Sequence, residues 1–292
     1  MPDFCIIGAA KAGTTALSKI LDRHPDLFMN PLKEPHYFST AHIREYGEPW
    51  YRGLYSDALP GQLCGEASTS YSRYPLVAGT AECMAAANPA MKLIYILREP
   101  VSRVESECLQ TMKYSRNVLG LECPEMNLDD FLKAVENPED PRYSATISAS
   151  KYIDQIEKFE EVFHTDQLLI VFQQDLKNDP EHFFRKISDF LEIKPFSSDT
   201  IAIRANQTSN FKSGLNRVER TNRFKRLPFY SVAKSILPET LKSLILEKGR
   251  DDGKDARFHL SQAMRSELSA TFTESNRRLK ARLGYLPDDW SV

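Results

Sequence analysis

Three short segments carry residues whose types and spacing could do chemistry. The first is Gly8-Ala9-Ala10-Lys11-Ala12-Gly13-Thr14-Thr15, which follows the apolar run Phe4-Cys5-Ile6-Ile7. Small residues let a backbone approach a ligand closely, and a helix starting here offers unpaired N–H groups with a partial positive charge. Lys11 adds a full charge, and Thr14 and Thr15 add hydroxyl donors. The segment therefore predicts an oxyanion cradle; the plainer alternative is an ordinary strand-turn-helix with a solvent-facing lysine. It is not the nucleotide-kinase P-loop, which needs Gly-Lys-Ser/Thr at the helix start. Here Gly13 is followed by Thr14, and the lysine comes two residues before the glycine.

The second segment is Leu97-Arg98-Glu99-Pro100-Val101-Ser102-Arg103-Val104-Glu105-Ser106. It follows the apolar run Lys92–Leu97 and enters a helix at Pro100, where the missing N–H costs nothing. Arg98 stands at the strand's carboxyl end, where open α/β sheets bind ligands. Ser106 lies about two helical turns further on, so the two could converge on one phosphate. The alternative pairs Arg98 with Glu99 or Glu105. Arg103 is expected to be structural. The third segment, Pro31-Leu32-Lys33-Glu34-Pro35-His36-Tyr37-Phe38, sets a carboxylate beside an imidazole. A carboxylate within hydrogen-bond reach can take a proton from a hydroxyl or amine; polar loop residues anchored by Tyr37 and Phe38 are the alternative.

The elements around these segments alternate. Phe4–Ile7, Lys92–Leu97 and Gln167–Phe172 read as buried strands, and a weaker strand ends at Gly65-Glu66. Helical patterns run from about Thr14 to His24, from Pro100, from Pro180 and from Ser261 to Leu283. Near-continuous apolar strands separated by helices predict an α/β fold: a parallel sheet flanked by helices on both faces, with a mostly helical C-terminal third. The 292 residues show no repeat, low-complexity stretch or interdomain linker, and one domain over residues 1–292 is the expectation.

Composition excludes little but steers the partners. A net charge of -2 gives no reason to expect nucleic acid or a membrane. No window approaches the ~18 apolar residues of a membrane span. Five scattered cysteines without CxxC spacing argue against a disulfide framework or zinc, and no metal is expected. A cytoplasmic location is the expectation.

The three segments together resemble PAPS-dependent sulfotransferases, where PAPS is 3'-phosphoadenosine-5'-phosphosulfate. Lys11, Ala12, Gly13, Thr14 and Thr15 match the 5'-phosphosulfate loop. Arg98 and Ser106 match the 3'-phosphate motif. The stretch from Lys33 to Phe38 is similar to Lys-Glu-x-His-Phe-Phe of the sugar and heparan sulfate enzymes. The resemblance implies a P-loop-like fold, PAPS as co-substrate, Glu34 as base and Lys11 and His36 as further catalytic residues. It also makes Lys212 a candidate 3'-phosphate contact. Ser39 and Ala67 depart from the Asp and Lys that the sugar enzymes carry, so the acceptor site is expected to differ from that of the heparan sulfate enzymes. The expected reaction sulfates a hydroxyl or amine of a small-molecule natural product or a saccharide. A P-loop-like small-molecule kinase and a non-catalytic nucleotide-binding protein are the competing readings.

Overall fold

The computed structural model describes residues 1–118, 127–201 and 259–292; the side chains of residues 113–118 are not among them. Lys212 and the basic stretch that follows it lie outside the described residues.

Five parallel strands form one sheet in the order β2-β3-β1-β4-β5. They are β1 (Phe4–Gly8), β2 (Leu27–Met29), β3 (Leu63–Ala67), β4 (Lys92–Leu97) and β5 (Leu168–Phe172). Every residue of β1 is buried, which explains the run of apolar side chains in the central strand. Because β1, β3 and β4 are parallel neighbours, the loops that follow them leave the same edge of the sheet. That edge is where open α/β sheets bind ligands. The β1–β4 register shifts between Ile6 and Gly8, so the ladder is disrupted where the chain turns out of the sheet. Gly8 is required there: a Cβ would stand 2.0 Å from Ser72 Oγ, at a φ of 153°.

The flanking helices follow their sequence periods. Helix α1 (Thr14–Leu21) buries Leu17, Ile20 and Leu21, one face of the helix. Between β2 and β3 lie α2 (Ala41–Arg44) and α3 (Gly47–Gly53), and α4 (Thr80–Ala87) precedes β4. Helix α5 (Pro100–Val118) follows β4 directly. Its start is capped by Glu99, whose two carboxylate oxygens accept from the N–H groups of Val101 and Ser102 at 2.8 and 2.7 Å. After α6 (Leu128–Ala134) and α7 (Pro141–Thr146), α8 (Tyr152–Glu160) leads towards β5. Helices α9 (Gln173–Asn178) and α10 (Pro180–Leu191) follow β5. The C-terminal region is helical through α11 (Gln262–Leu283), where the Ser261 side chain accepts from Met264 N–H.

Helix α11 joins the body through apolar contacts, with Leu279 in the main core, and through ion pairs. Met264, Leu268 and Phe272 enter an apolar cluster with Val101, Val104 and Phe131. Arg278 and Arg282 reach Asp154, Glu157 and Glu160 on α8. These pairs are part-exposed, so the apolar contacts carry most of the attachment.

Candidate active site

The ligand edge of the sheet holds two adjoining cavities, of about 390 and about 270 Å³. The larger is walled by the loop after β1, the segment after β3 and the second and third turns of α5. Lys11, Gly13, Thr14, Thr15, Glu34 and Ser106 all line it.

The loop after β1 is shaped by left-handed backbone at Lys11 (φ 69°) and Gly13 (φ 98°). Gly13 is the N-cap of α1, and its side-chain-free face lies against Gln173, where a Cβ would stand 3.3 Å from Nε2. Ala12 is fully buried and does not line the cavity. The first N–H groups of α1 have no acceptors within the helix and carry its positive dipole end. Lys11 Nζ donates to Gln110 Oε1 at 2.5 Å. Burial lowers the Lys11 pKa; Glu107 opposes the fall, and Arg98, Arg103 and Arg73 add to it.

Two arginines pin this loop from behind. Arg98 Nη1 donates to the Lys11 carbonyl at 3.1 Å. Arg103, 1% exposed, donates to the carbonyls of Ala10, Ala145 and Thr146 and to Ser150 Oγ. Arg103 is thus structural: four oxygens consume its fork. Arg98 pairs with neither acid named above, because Glu99 caps α5 and Glu105 accepts from Arg265 at 2.7 Å.

Arg98 and Ser106 do not line one cavity. Ser106 faces the larger, whereas Arg98 lines the smaller with Ser102, Gln174, Lys177, Asp289 and Trp290. Gln173, the first residue of α9, lines both and forms their common wall. The two residues therefore stand on either side of a divided cleft.

Glu34 and His36 come from the irregular segment after β2. Both have left-handed backbone, with φ of 59° and 55°. Such angles are uncommon outside glycine and persist where surroundings enforce them. The enforcement is visible: Glu34 N–H donates to the Ala67 carbonyl at 3.1 Å, and His36 N–H to Ser68 Oγ at 3.2 Å. Thr69 Oγ1 donates to Glu34 Oε2 at 3.2 Å, and Lys33 pairs with Oε1. His36 Nε2 is 3.7 Å from Glu34 Oε2, beyond hydrogen-bond range. Its Nδ1 instead contacts Ser70 Oγ at 2.7 Å, and burial lowers its pKa against the pull of Glu34. His36 is not among the residues that line the cavity. Ser39 joins the same hydroxyl network at 2.6 Å from Ser70 Oγ.

Beneath this segment lies a buried carboxyl. Glu66, fully buried on β3, accepts from Tyr51 OH at 2.5 Å. Burial pushes its pKa up to about 7, against the hydrogen bonds it receives. Tyr51 stacks on Tyr37 at 4.1 Å, and Tyr71 OH accepts from Phe38 N–H, so the cluster supports the Glu34 segment.

Several lining residues have no sequence signature: Thr69, Arg73, Glu107, Gln110 and Gln173. Gln110 sits four residues after Ser106, on the same helix face, and that spacing could have found it. A lone arginine in a turn offers no such signal. Among the described residues, no group of three or more His, Cys, Asp or Glu could hold a metal ion. No described helix is long and apolar enough to cross a membrane.

The chain is 31% identical over 212 residues to mouse heparan sulfate glucosamine 3-O-sulfotransferase 3B1, covering 72% of this chain and 51% of that protein. Human heparan sulfate glucosamine 3-O-sulfotransferase 6 is 29% identical, over 68% of this chain and 54% of its own. The chain spans about half the length of the curated relatives it matches. The solved sulfotransferase of Alicyclobacillus acidocaldarius superposes with a TM-score of 0.67 at 23% identity, over 99% and 98% of the two chains. Mouse sulfotransferase SULT7A1, solved in complex with PAP, gives 0.54 at 19%, over 96% and 85%. A family model described as the sulfotransferase domain matches residues 1–278, so the chain, an enzyme of the transferase class by this criterion, belongs to the sulfotransferase family.

Proposed function

We propose that the protein transfers a sulfuryl group from PAPS to a hydroxyl or amine of a saccharide or a small molecule. The observation that carries this reading is that Lys11 and Glu34, a cation on an anion cradle and a carboxylate, line one cavity at the carboxyl edge of the sheet. The residues fit the donor. The α1 N-terminus with Lys11 suits one anionic group, and Arg98 with Lys177 in the adjoining cavity suits a second.

In the reaction the acceptor oxygen or nitrogen bonds to sulfur as the bond from sulfur to the phosphate oxygen breaks. Glu34 takes the acceptor's proton, held in place by Thr69. Lys11 leaves Gln110 to stabilise the negative charge gathering on the leaving phosphate oxygen. The backbone of Gly13 and the hydroxyls of Thr14 and Thr15, all on the cavity wall, hold the non-bridging oxygens. Ser106 and Arg98 hold the 3'-phosphate from the two sides of the divide, with Lys212 a further proposed contact. His36, whose pKa burial lowers, positions the Glu34 segment through Ser70. Positioning and charge stabilisation carry the rate, as in phosphoryl transfer.

The test supplies PAPS with a panel of acceptors and measures release of 3'-phosphoadenosine-5'-phosphate. Turnover by the wild type and its loss in Lys11→Ala are expected. Tighter binding of ATP with Mg²⁺ than of PAPS would defeat the proposal in favour of a kinase.

A further inference from the structure

The transfer chemistry leaves one pair of charges in the larger cavity unused. Arg73 and Glu107 both line it, and Arg73 Nη2 donates to Glu107 Oε1 at 3.0 Å. Arg73 stands four residues after Thr69, the residue that holds Glu34. Glu107 stands on α5 next to Ser106. The pair thus bridges the base side and the donor side of the same cavity.

The pairing is incomplete. Glu107 is 6% exposed, yet its Oε2 has no hydrogen-bond partner, and neither has the buried Nε of Arg73. Native proteins rarely leave buried polar atoms of this kind unsatisfied, and two of them on one ion pair at a cavity call for an explanation. The chemistry of that ligand follows from what the two groups want. A hydroxyl can accept from the guanidinium and donate to the carboxylate at once. A carboxylate or phosphate would accept from Arg73 but be repelled by Glu107. An amine would donate to Glu107 and find nothing to accept from Arg73. Apart from Ala10, no residue with an apolar side chain lines this cavity among the described residues, so an aromatic acceptor has nothing to stack on.

We propose that Arg73, anchored by Glu107, reads the acceptor, and that the acceptor is polyhydroxylated, placing a hydroxyl next to the sulfated position between these two side chains. The inference rests on the sulfotransferase reading above and adds the residues and the acceptor class.

The experiment compares wild type, Arg73→Ala and Arg73→Lys. PAPS is the donor, and N-acetylglucosamine, cellobiose, methyl glucoside, its glucuronide counterpart and p-nitrophenol are the acceptors. Affinity for 3'-phosphoadenosine-5'-phosphate is measured in parallel. Removing the charged partner of such a site is expected to raise KM for the sugars about tenfold or more. Nucleotide affinity should not change, and Arg73→Lys should fall between. A deoxy sugar lacking the neighbouring hydroxyl should already show the loss in the wild type, with no further loss in Arg73→Ala. Unchanged sugar KM in Arg73→Ala sinks the proposal, as does an equal loss of nucleotide affinity. Sulfation of p-nitrophenol with no sugar accepted, or a glucuronide preference abolished by Arg73→Ala, also overturns the hydroxyl assignment while sparing the sulfotransferase reading. A wild type that does not bind PAPS overturns both.

Discussion

The donor cradle and the base segment face each other across one cavity, but they are built from different materials. The cradle is regular structure: a strand end, a turn and the start of α1. Its shape is fixed by Gly8 and Gly13, and arginines hold its carbonyls from behind. The Glu34 segment has no regular structure of its own. It is held by hydroxyls from residues 68–70 and rests on the tyrosine cluster over Glu66. Changes to cradle side chains should therefore alter chemistry with little effect on folding. Changes near the base segment should be felt at a distance, because a side-chain network transmits what backbone geometry does not.

Four measurements would break or sharpen this contrast. The largest effect is expected for Glu34→Gln, which should lower kcat by about 10²–10⁴ as loss of a general base. Its affinity for 3'-phosphoadenosine-5'-phosphate should stay normal; weakened nucleotide binding would show that the two sides are not separate. Next, Lys11→Ala should lower kcat by about 10²–10³, the cost of one lost oxyanion donor. Its melting temperature should match the wild type, and a clear drop would mean that Lys11 also holds the loop together.

The third measurement concerns Glu66. Its carboxyl titrates near 4.5 in the unfolded chain and near 7 when folded. Between those values the folded protein keeps a proton that the unfolded chain has released. Stability should therefore fall as pH rises from about 4.5 to about 7, by about 3 kcal/mol in total. Glu66→Gln should flatten this part of the profile in denaturant titrations. An unchanged slope would remove Glu66 as its source. The smallest effect is Thr69→Val, which removes one hydrogen bond from Glu34. A loss in kcat of about tenfold or less is expected, with unchanged nucleotide affinity. A larger loss would make Thr69 the principal holder of the base.

Much of the frame was legible in the residues. Strands β1, β4 and β5 appear as apolar runs, and Pro100 and Pro180 open α5 and α10 as expected. The C-terminal helix begins one residue after Ser261 because that serine is its cap. The reading missed β2, whose three residues are too few to show a period. Arg98 and Ser106, read as converging on one phosphate, line adjoining cavities with Gln173 between them, a division that no local pattern shows.

By itself the sequence determined the anion cradle. That feature is local: a strand, two glycines, a lysine and a helix start are contiguous, and their N–H groups point where the chain turns. It also supplied Glu34, through its similarity to enzymes that carry the same short run. Only the tertiary structure decided what faces what. Arg73, Glu107, Gln110 and Gln173 come from three segments that the sheet order β3-β1-β4-β5 brings to one edge. Strand order depends on which apolar faces pack together across the whole chain, so no window of residues records it. The pairing of Arg73 with a buried, half-satisfied carboxylate follows from that packing.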